Sequence, residues 1–171
     1  MANKQLANVR IRNTKLIFRN FAGKANDCNR EGDRNVCVVI PEELVDELRA
    51  EGWNIKQSKP REGFEDEYVP EYYVKANVKY RDRNGVLKAY PPAIYVVTDK
   101  KKTLLDETTV SQLDHAEIQD VKVELSPYPY TYLGREGISV YINKLYAKVI
   151  EDDFDSEYDD LPFSDADADE M

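Results

Sequence analysis

The sequence is poor in the residues that disulfide-rich proteins and many enzymes depend on. Its 171 residues include two cysteines, one histidine and one tryptophan. Two cysteines are too few for a disulfide framework and suit a reducing compartment, so we expect a soluble, intracellular protein. No apolar run reaches the roughly 18 residues of a transmembrane helix. The opening segment MANKQLANVRIRN lacks the apolar centre of a secretory signal.

Residues that could support catalysis or bind a metal are few and scattered. His115 is the only histidine, and the chain has no glycine-flanked serine nucleophile. Together with Cys28 and Cys37 it offers three soft ligands, fewer than a structural zinc site needs. The glycines of GREG and DRNG belong to turns rather than to a phosphate-binding loop. We therefore predict no catalysis, metal or cofactor. A metal-dependent nuclease built on the acidic segment EGFEDEYVPE is the alternative within the enzyme class.

Charge is distributed unevenly along the chain. Residues 151–171 contain 11 Asp and Glu and no Lys or Arg. The remaining 24 basic and 22 acidic residues give residues 1–150 a net charge of +2. We therefore predict a folded domain over residues 1–150 and a disordered acidic tail over residues 151–171. Such a tail either keeps the protein soluble, or docks on partners and competes for a basic groove.

Apolar periodicity indicates mainly β-structure. It predicts strands at Val9–Arg12, Lys15–Phe21, Val36–Ile40, Tyr72–Arg81, Ala93–Val97, Val121–Leu125 and Ile138–Ile150. A helix is predicted from Pro41 to Gly52, because proline suits the first helical position and glycine the end. Residues 106–113 predict a second, shorter helix. Short strands between glycine-bearing turns favour a five-stranded Greek-key β-barrel with extra hairpins.

The segment YYVKANVKYR carries the clearest sign of a nucleic-acid surface. In a strand, Tyr73, Lys75 and Lys79 point to one side, and the apolar residues between them point to the core. Single-strand binding needs cations that follow phosphates and aromatic rings on which bases stack. This strand offers both, although a solvated strand face would explain the lysines equally well.

Two further stretches, VRIRNTKLIFRNFAGK and GWNIKQSKPR, mix basic and aromatic residues in the same way. The residues predicted to stack on bases are Phe21, Trp53 and Tyr73. The residues predicted to contact phosphates are Arg10, Arg12, Arg19, Lys75, Lys79 and Arg81. For the tyrosines of PYPYTYLG we favour a role in closing the core over a role as a platform for bases.

Several segments resemble one family of viral proteins. FRNFAGKANDCNREGDRNVCVVI, GWNIK, KKKTLLDE, LDHAEIQDV and GISVYINKLYAKVIEDDF are similar to the phage single-stranded DNA-binding proteins. The resemblance runs from about Val9 to Phe154. It implies an oligonucleotide-binding (OB-fold) barrel without catalysis or cofactor, which coats single strands during phage replication and recombination. It also implies a cytoplasmic location in an infected bacterial host, and an oligomer is compatible with it.

The segment DDLPF carries a second resemblance, to the acidic tip of bacterial single-stranded DNA-binding proteins. In that family the tip docks on replication and repair enzymes. By position, the residues that would carry this role here are Asp159, Asp160, Leu161, Pro162 and Phe163. The bacterial tip ends at its phenylalanine, whereas SDADADEM follows Phe163 in this chain. The resemblance implies phage or host replication and recombination proteins as partners of the tail.

A protein-interaction module or DNA mimic is the main alternative from another class. A mimic presents acidic groups over its folded surface so that it can occupy the nucleic-acid site of another protein. Residues 1–150 have a net charge of +2, so the acidic excess lies in the tail. This distribution favours the single-strand binder over the mimic.

Overall fold

The computed structural model describes residues 6–26, 29–60, 62–67 and 69–150. The predicted tail residues 159–163 and Cys28 lie outside this part of the chain. The strands are β1 Val9–Thr14, β2 Leu16–Asn20, β3 Arg34–Ile40, β4 Lys56–Gln57, β5 Tyr72–Val78, β6 Ala93–Val97, β7 Lys102–Leu105, β8 Ile118–Tyr132 and β9 Arg135–Val149. The helices are α1 Glu42–Glu51 and two 3-10 helices, Glu65–Glu67 and Val110–Asp114.

The strands form one curved sheet in the order β1-β8-β9-β5-β3-β2. Its two end strands, β1 and β2, are separated in the chain by Lys15 alone, whose carbonyl accepts a hydrogen bond from Val39 N at 3.1 Å. The ends of the sheet are thus brought together by the chain, while the hydrogen-bonded path itself stays open. Neighbours on this path are antiparallel except β5 and β9, which are parallel.

This connectivity is that of a partly open, five-stranded Greek-key barrel in which β1 and β2 act as one bent strand. The short strand β4 adds to β5, and the β6–β7 hairpin adds to β9. The predicted OB-fold-like, mainly β barrel with extra hairpins and short helices is confirmed. The strands β8 and β9 are longer than predicted and form a hairpin that extends beyond the barrel.

The core follows the apolar periodicity of the strands. In β3, Val36, Val38 and Ile40 are buried, and the residues between them face outward. The helix α1 covers the core through Val45 and Leu48. It ends at Gly52, whose φ of 108° lies in the left-handed region that glycine adopts without strain. No helix within the described ranges is long and apolar enough to cross a membrane.

Candidate nucleic-acid interface

The outer side of β5 carries a row of aromatic and polar side chains. Tyr73 and Asn77 are half-buried and Lys75 is exposed, while Val74 and Ala76 between them are buried in the core. The predicted division of this strand into an inner and an outer face is therefore correct. Because β5 lies between β3 and β9, the outer row occupies the middle of the sheet.

Phe18 is an exposed aromatic residue next to this row. The pairing of β2 with β3 shifts register between Ile17 and Asn20, and within this irregularity Phe18 has a φ of 48°. A bulky residue rarely adopts this left-handed conformation, which costs about 1–3 kcal/mol. The irregularity leaves the Phe18 side chain 69% exposed. Its ring meets that of Tyr73 edge to face, with the centroids 5.7 Å apart.

Two lysines flank this aromatic pair. Lys56 of β4 is the register partner of Tyr73, and Lys75 lies opposite Cys37 of β3. Burial raises the pKa of the Cys37 thiol, and the positive charges of both lysines act in the opposite direction. Both ammonium groups are thus close enough to Cys37 to act on its charge, and they give this part of the sheet a positive potential.

The row continues from β5 to the β8–β9 hairpin. Asn77 is the register partner of Tyr141 in β9, and its side-chain amide donates a hydrogen bond to Val140 O at 3.2 Å. The Tyr141 ring meets that of Tyr128 edge to face at 5.3 Å, and Tyr128 is 59% exposed. We call this surface the aromatic face, defined by Phe18, Lys56, Tyr73, Lys75, Tyr128 and Tyr141.

Beyond Tyr128 the hairpin presents more tyrosine to solvent. Tyr130 and Tyr132 are exposed, so the expectation that the PYPYTY tyrosines close the core is wrong. Tyr130 lies across Gly137, its register partner, where a Cβ atom would come within 2.5 Å of the tyrosine hydroxyl. The hairpin turns at Leu133 and Gly134, which have φ values of 49° and 78°. Two such residues are typical of a two-residue hairpin turn.

Two residues predicted to stack on bases are instead core residues. Phe21 is 0% exposed and Trp53 is 3% exposed. The backbone N–H of Phe21 donates to Asp114 Oδ1 at 2.6 Å, and the indole N–H of Trp53 donates to Glu51 at 3.2 Å. Neither ring offers a free face to a base, so this part of the prediction is corrected: Phe18, three residues before Phe21, is the exposed ring.

Two predicted phosphate ligands are engaged within the protein. Arg19 Nη1 donates to the carbonyls of Leu113 and Ala116, each at 2.7 Å. Arg81 holds Glu107 through Nε and Nη2, and this hydrogen bonding lowers the pKa of the Glu107 carboxyl. Both arginines thus fasten loops to the barrel. Lys79, directly after β5, is exposed.

Arg10 and Arg12 lie apart from Tyr73 and Lys75, on the outer side of β1. They line a second feature, which we call the basic groove, together with Lys122, Val123, Glu124, Lys144 and Tyr146. Of the predicted DNA-binding residues, Tyr73 and Lys75 thus lie on the aromatic face, and Arg10 and Arg12 line the basic groove. The long strand β9 runs through both, carrying Tyr141 on the first and Tyr146 on the second.

No cluster of His, Cys, Asp or Glu suitable for a metal ion occurs among the residues that the structure describes. The acidic segment around Glu65–Glu67 is an exposed 3-10 turn. The chemistry available on the aromatic face is that of ring stacking and cationic contact. An OB-fold-like barrel with exposed rings and lysines beside its central strands is the arrangement that single-strand-binding proteins use.

The chain belongs to the family of phage ssDNA-binding domains, whose model matches residues 1–171. Members of this family are non-enzymatic binding proteins, and this chain is accordingly a phage-type ssDNA-binding protein. A comparison with curated protein sequences finds no match.

Solved structures show the same fold. The single-stranded DNA-binding protein from bacteriophage Enc34 in complex with ssDNA is similar with a TM-score of 0.51 and 9% identity, over 85% of this chain and 88% of that chain. A C-terminal truncation of the Enc34 protein gives a TM-score of 0.53 and 9% identity, over 85% and 87% of the two chains. At these identities the likeness concerns the fold alone.

Proposed function

We propose that the chain binds single-stranded DNA on the aromatic face without strong sequence preference. The observation that carries this proposal is Phe18, an exposed ring held in a strained backbone conformation beside Tyr73. Strain of this kind persists where the surrounding structure imposes it, and it concentrates at functional sites. An apolar ring kept in water gains nothing from folding, whereas it gains contact when a base stacks on it.

Lys56 and Lys75 contact the phosphates on either side of the stacked bases, and Lys79 extends this contact along the line of β5. Every base has a π-face, so stacking tolerates any sequence. The edge-to-face pair of Tyr128 and Tyr141 provides further rings at the hairpin side of the face. The Enc34 protein, solved in complex with ssDNA, supports this ligand through the shared fold.

The acidic segment 151–171 serves, in this proposal, to recruit replication or recombination proteins of the phage or its host. The residues that would dock are Asp159, Asp160, Leu161, Pro162 and Phe163. Two acidic residues followed by a short apolar run suit a shallow basic pocket on a partner. A chain ending at Glu151 would then keep or raise its affinity for ssDNA and lose these partners in a capture assay. In this proposal the protein works in the cytoplasm of the infected bacterial cell, because its ligand is the single-stranded DNA of phage replication and recombination.

Titration with a fluorescein-labelled oligo(dT) tests the ligand. Binding measured by anisotropy is expected to weaken as salt rises, because each neutralised phosphate contributes a slope of about −0.7 in log K against log salt. Lys56 and Lys75 alone would give a slope of about −1.4. Trp53 is buried, so its own fluorescence is a poor reporter of stacking.

Two controls accompany this titration. A mixed-sequence oligonucleotide of equal length should bind with similar affinity, and a duplex of equal length should bind more weakly. Removal of residues 152–171 should leave or raise the affinity, since it removes acid that competes with phosphates. No binding, or equal preference for the duplex, would contradict the proposed function.

A further inference from the structure

The basic groove places cations around a pair of stacked tyrosines. Tyr146 of β9 is the register partner of Lys122 in β8 and of Tyr95 in β6. The rings of Tyr95 and Tyr146 are stacked, with centroids 4.9 Å apart and planes inclined by 9°. Lys102 Nζ lies 5.1 Å from the Tyr95 centroid and 5.8 Å from the Tyr146 centroid.

The lysines leave little room for a base on these rings. Lys122 Nζ lies 5.8 Å from the Tyr146 centroid, so this tyrosine has two ammonium groups and a second ring around it. Cation–π contact of this kind holds the lysines in place and keeps their charge at the surface. The groove therefore suits a chain of phosphates, whereas the aromatic face suits bases.

The cations of the groove differ in their availability. Arg10 Nε donates to Glu124 at 2.7 Å, and Asn143 also donates to this carboxylate. These hydrogen bonds lower the pKa of Glu124, and the carboxylate offsets part of the charge of Arg10. Among the described residues, Arg12, Lys122 and Lys144 form no ion pair. Lys122 also contacts the Tyr146 ring, and Lys144 lies opposite Glu124, whose pKa its charge helps to lower. Neither contact uses all the donors of an ammonium group, so all three cations can meet an anion.

An irregularity in β9 connects the groove to the aromatic face. Leu125 pairs with Ile142 and Glu124 with Lys144, so the exposed Asn143 is an extra residue between them. The extra residue changes which alternate positions face outward, from Tyr141 on one side to Lys144 and Tyr146 on the other. At about 3.3 Å per residue, Tyr141 and Tyr146 are about 16 Å apart along one strand.

We propose that one single strand of DNA continues from the aromatic face across β9 into the basic groove, where Arg12, Lys122 and Lys144 bind its phosphates. This inference rests on the proposed function, since it extends the path of the same ligand. The protein then has two parts of one site. The first stacks bases, and the second holds the backbone alone and is filled when the strand is long enough.

The test compares a short and a long oligo(dT) on one variant of the full chain. Arg12→Gln, Lys122→Gln and Lys144→Gln are combined, and affinities are measured for oligonucleotides of about 5 and about 16 nucleotides, the range that OB folds cover. We expect the triple variant to bind the long strand about 10- to 100-fold more weakly, with a salt slope smaller by about 2. Its affinity for the short strand should stay within about twofold, because the aromatic face is intact.

The matched control combines Arg83→Gln, Lys88→Gln and Lys100→Gln. These residues are exposed on the turns after β5 and β6, outside both surfaces, and the control removes the same charge. It should change neither affinity by more than about twofold, since distant surface charges are largely screened in salt. Equal melting temperatures of both variants and the parent chain would show that folding is unaffected.

Each outcome bears on a different claim. If the triple variant lost affinity equally for both oligonucleotides, the extended path would be overturned. It would also be overturned if the variant lost affinity for neither. The absence of any loss is expected if the groove holds an acidic peptide, including this chain's own residues 151–171. A loss of the same size in the control would assign the effect to net charge and overturn it too. The proposed function is tested separately: the parent chain should bind the short oligonucleotide, and the Tyr73→Ala variant should bind it more weakly.

Discussion

Replacing Phe18 or Tyr73 with alanine is expected to weaken ssDNA binding by about 5- to 150-fold for each ring. This range corresponds to the roughly 1–3 kcal/mol that a stacked base contributes. The two rings contact each other at 5.7 Å, so the double variant should lose less than the sum of the single losses. Affinity for oligo(dT) at one fixed salt concentration is the measurement.

Tyr90→Ala is the matched control for these variants. Tyr90 is 92% exposed, lies outside the aromatic face and the basic groove, and loses a similar ring on substitution. The affinity of the Tyr90→Ala variant for oligo(dT) should equal that of the parent chain. If Tyr90→Ala weakened binding as much as Tyr73→Ala, exposed aromatic rings in general, rather than this face, would account for the loss.

Phe18→Gly separates the contribution of the ring to binding from its contribution to stability. Glycine adopts a φ of 48° without strain, so the relief of strain offsets the greater entropy of glycine in the unfolded chain. The free energy of unfolding should change by less than about 1 kcal/mol. Affinity should fall as it does for alanine. A fall in stability with unchanged affinity would show that Phe18 serves the fold and not the ligand.

Arg19→Met is expected to destabilise the protein by about 2–4 kcal/mol, because the carbonyls of Leu113 and Ala116 lose a charged donor. For a domain of this size that corresponds to a fall of about 4–16 °C in melting temperature. The affinity of the folded protein for ssDNA should be unchanged. Urea unfolding and oligo(dT) titration below the transition measure the two quantities.

Arg12→Met is the control for this second prediction. The exposed Arg12 makes no ion pair within the described ranges, so its removal should change stability by less than about 0.5 kcal/mol. If Arg19→Met kept full stability but lost affinity, Arg19 would be a phosphate ligand as its sequence context predicts.

The barrel could be predicted from the sequence because its strands follow simple apolar periodicity. In β5 every second residue is apolar, and the strand buries these residues as expected. The termini of β8 and β9 could not be predicted in the same way. Pro127 and Pro129 lie within β8, and proline ordinarily argues against a strand. Pro127 and Pro129 pair with β9 alone, because the pairing of β8 with β1 ends at Leu125. This part of β8 is therefore an edge strand, where proline is tolerated.

The candidate site was harder to predict because it depends on two irregularities of register. A shift beside Phe18 exposes that ring and leaves Phe21, the residue predicted to stack on bases, in the core. The extra residue Asn143 makes Lys144 and Tyr146 face outward, whereas strict alternation from Tyr141 would have made them face the core. A pattern of period two carries no sign of where an extra residue enters, since only tertiary pairing fixes it.

The segments that resemble the phage family have a structural reason to occur together. LDHAE supplies Asp114, which accepts hydrogen bonds from Phe21 N and Ala22 N of FRNFAGK at 2.6 and 3.0 Å. Arg19 of the same segment donates hydrogen bonds to the carbonyls of Leu113 and Ala116. Much of this sequence similarity therefore concerns the anchoring of the loop after β2. The aromatic face depends on that anchor for the position of Phe18.

Photochemical cross-linking of iodouracil-substituted single-stranded DNA, followed by peptide mapping, tests the central claim most directly. The reaction joins a base to an aromatic side chain in contact with it. The proposed function predicts cross-links at Phe18 and Tyr73, with further ones at Tyr128 or Tyr141, and none at Phe21 or Trp53. Cross-links confined to Tyr90 or to the rings of the basic groove, with Phe18 and Tyr73 unmodified, would contradict it.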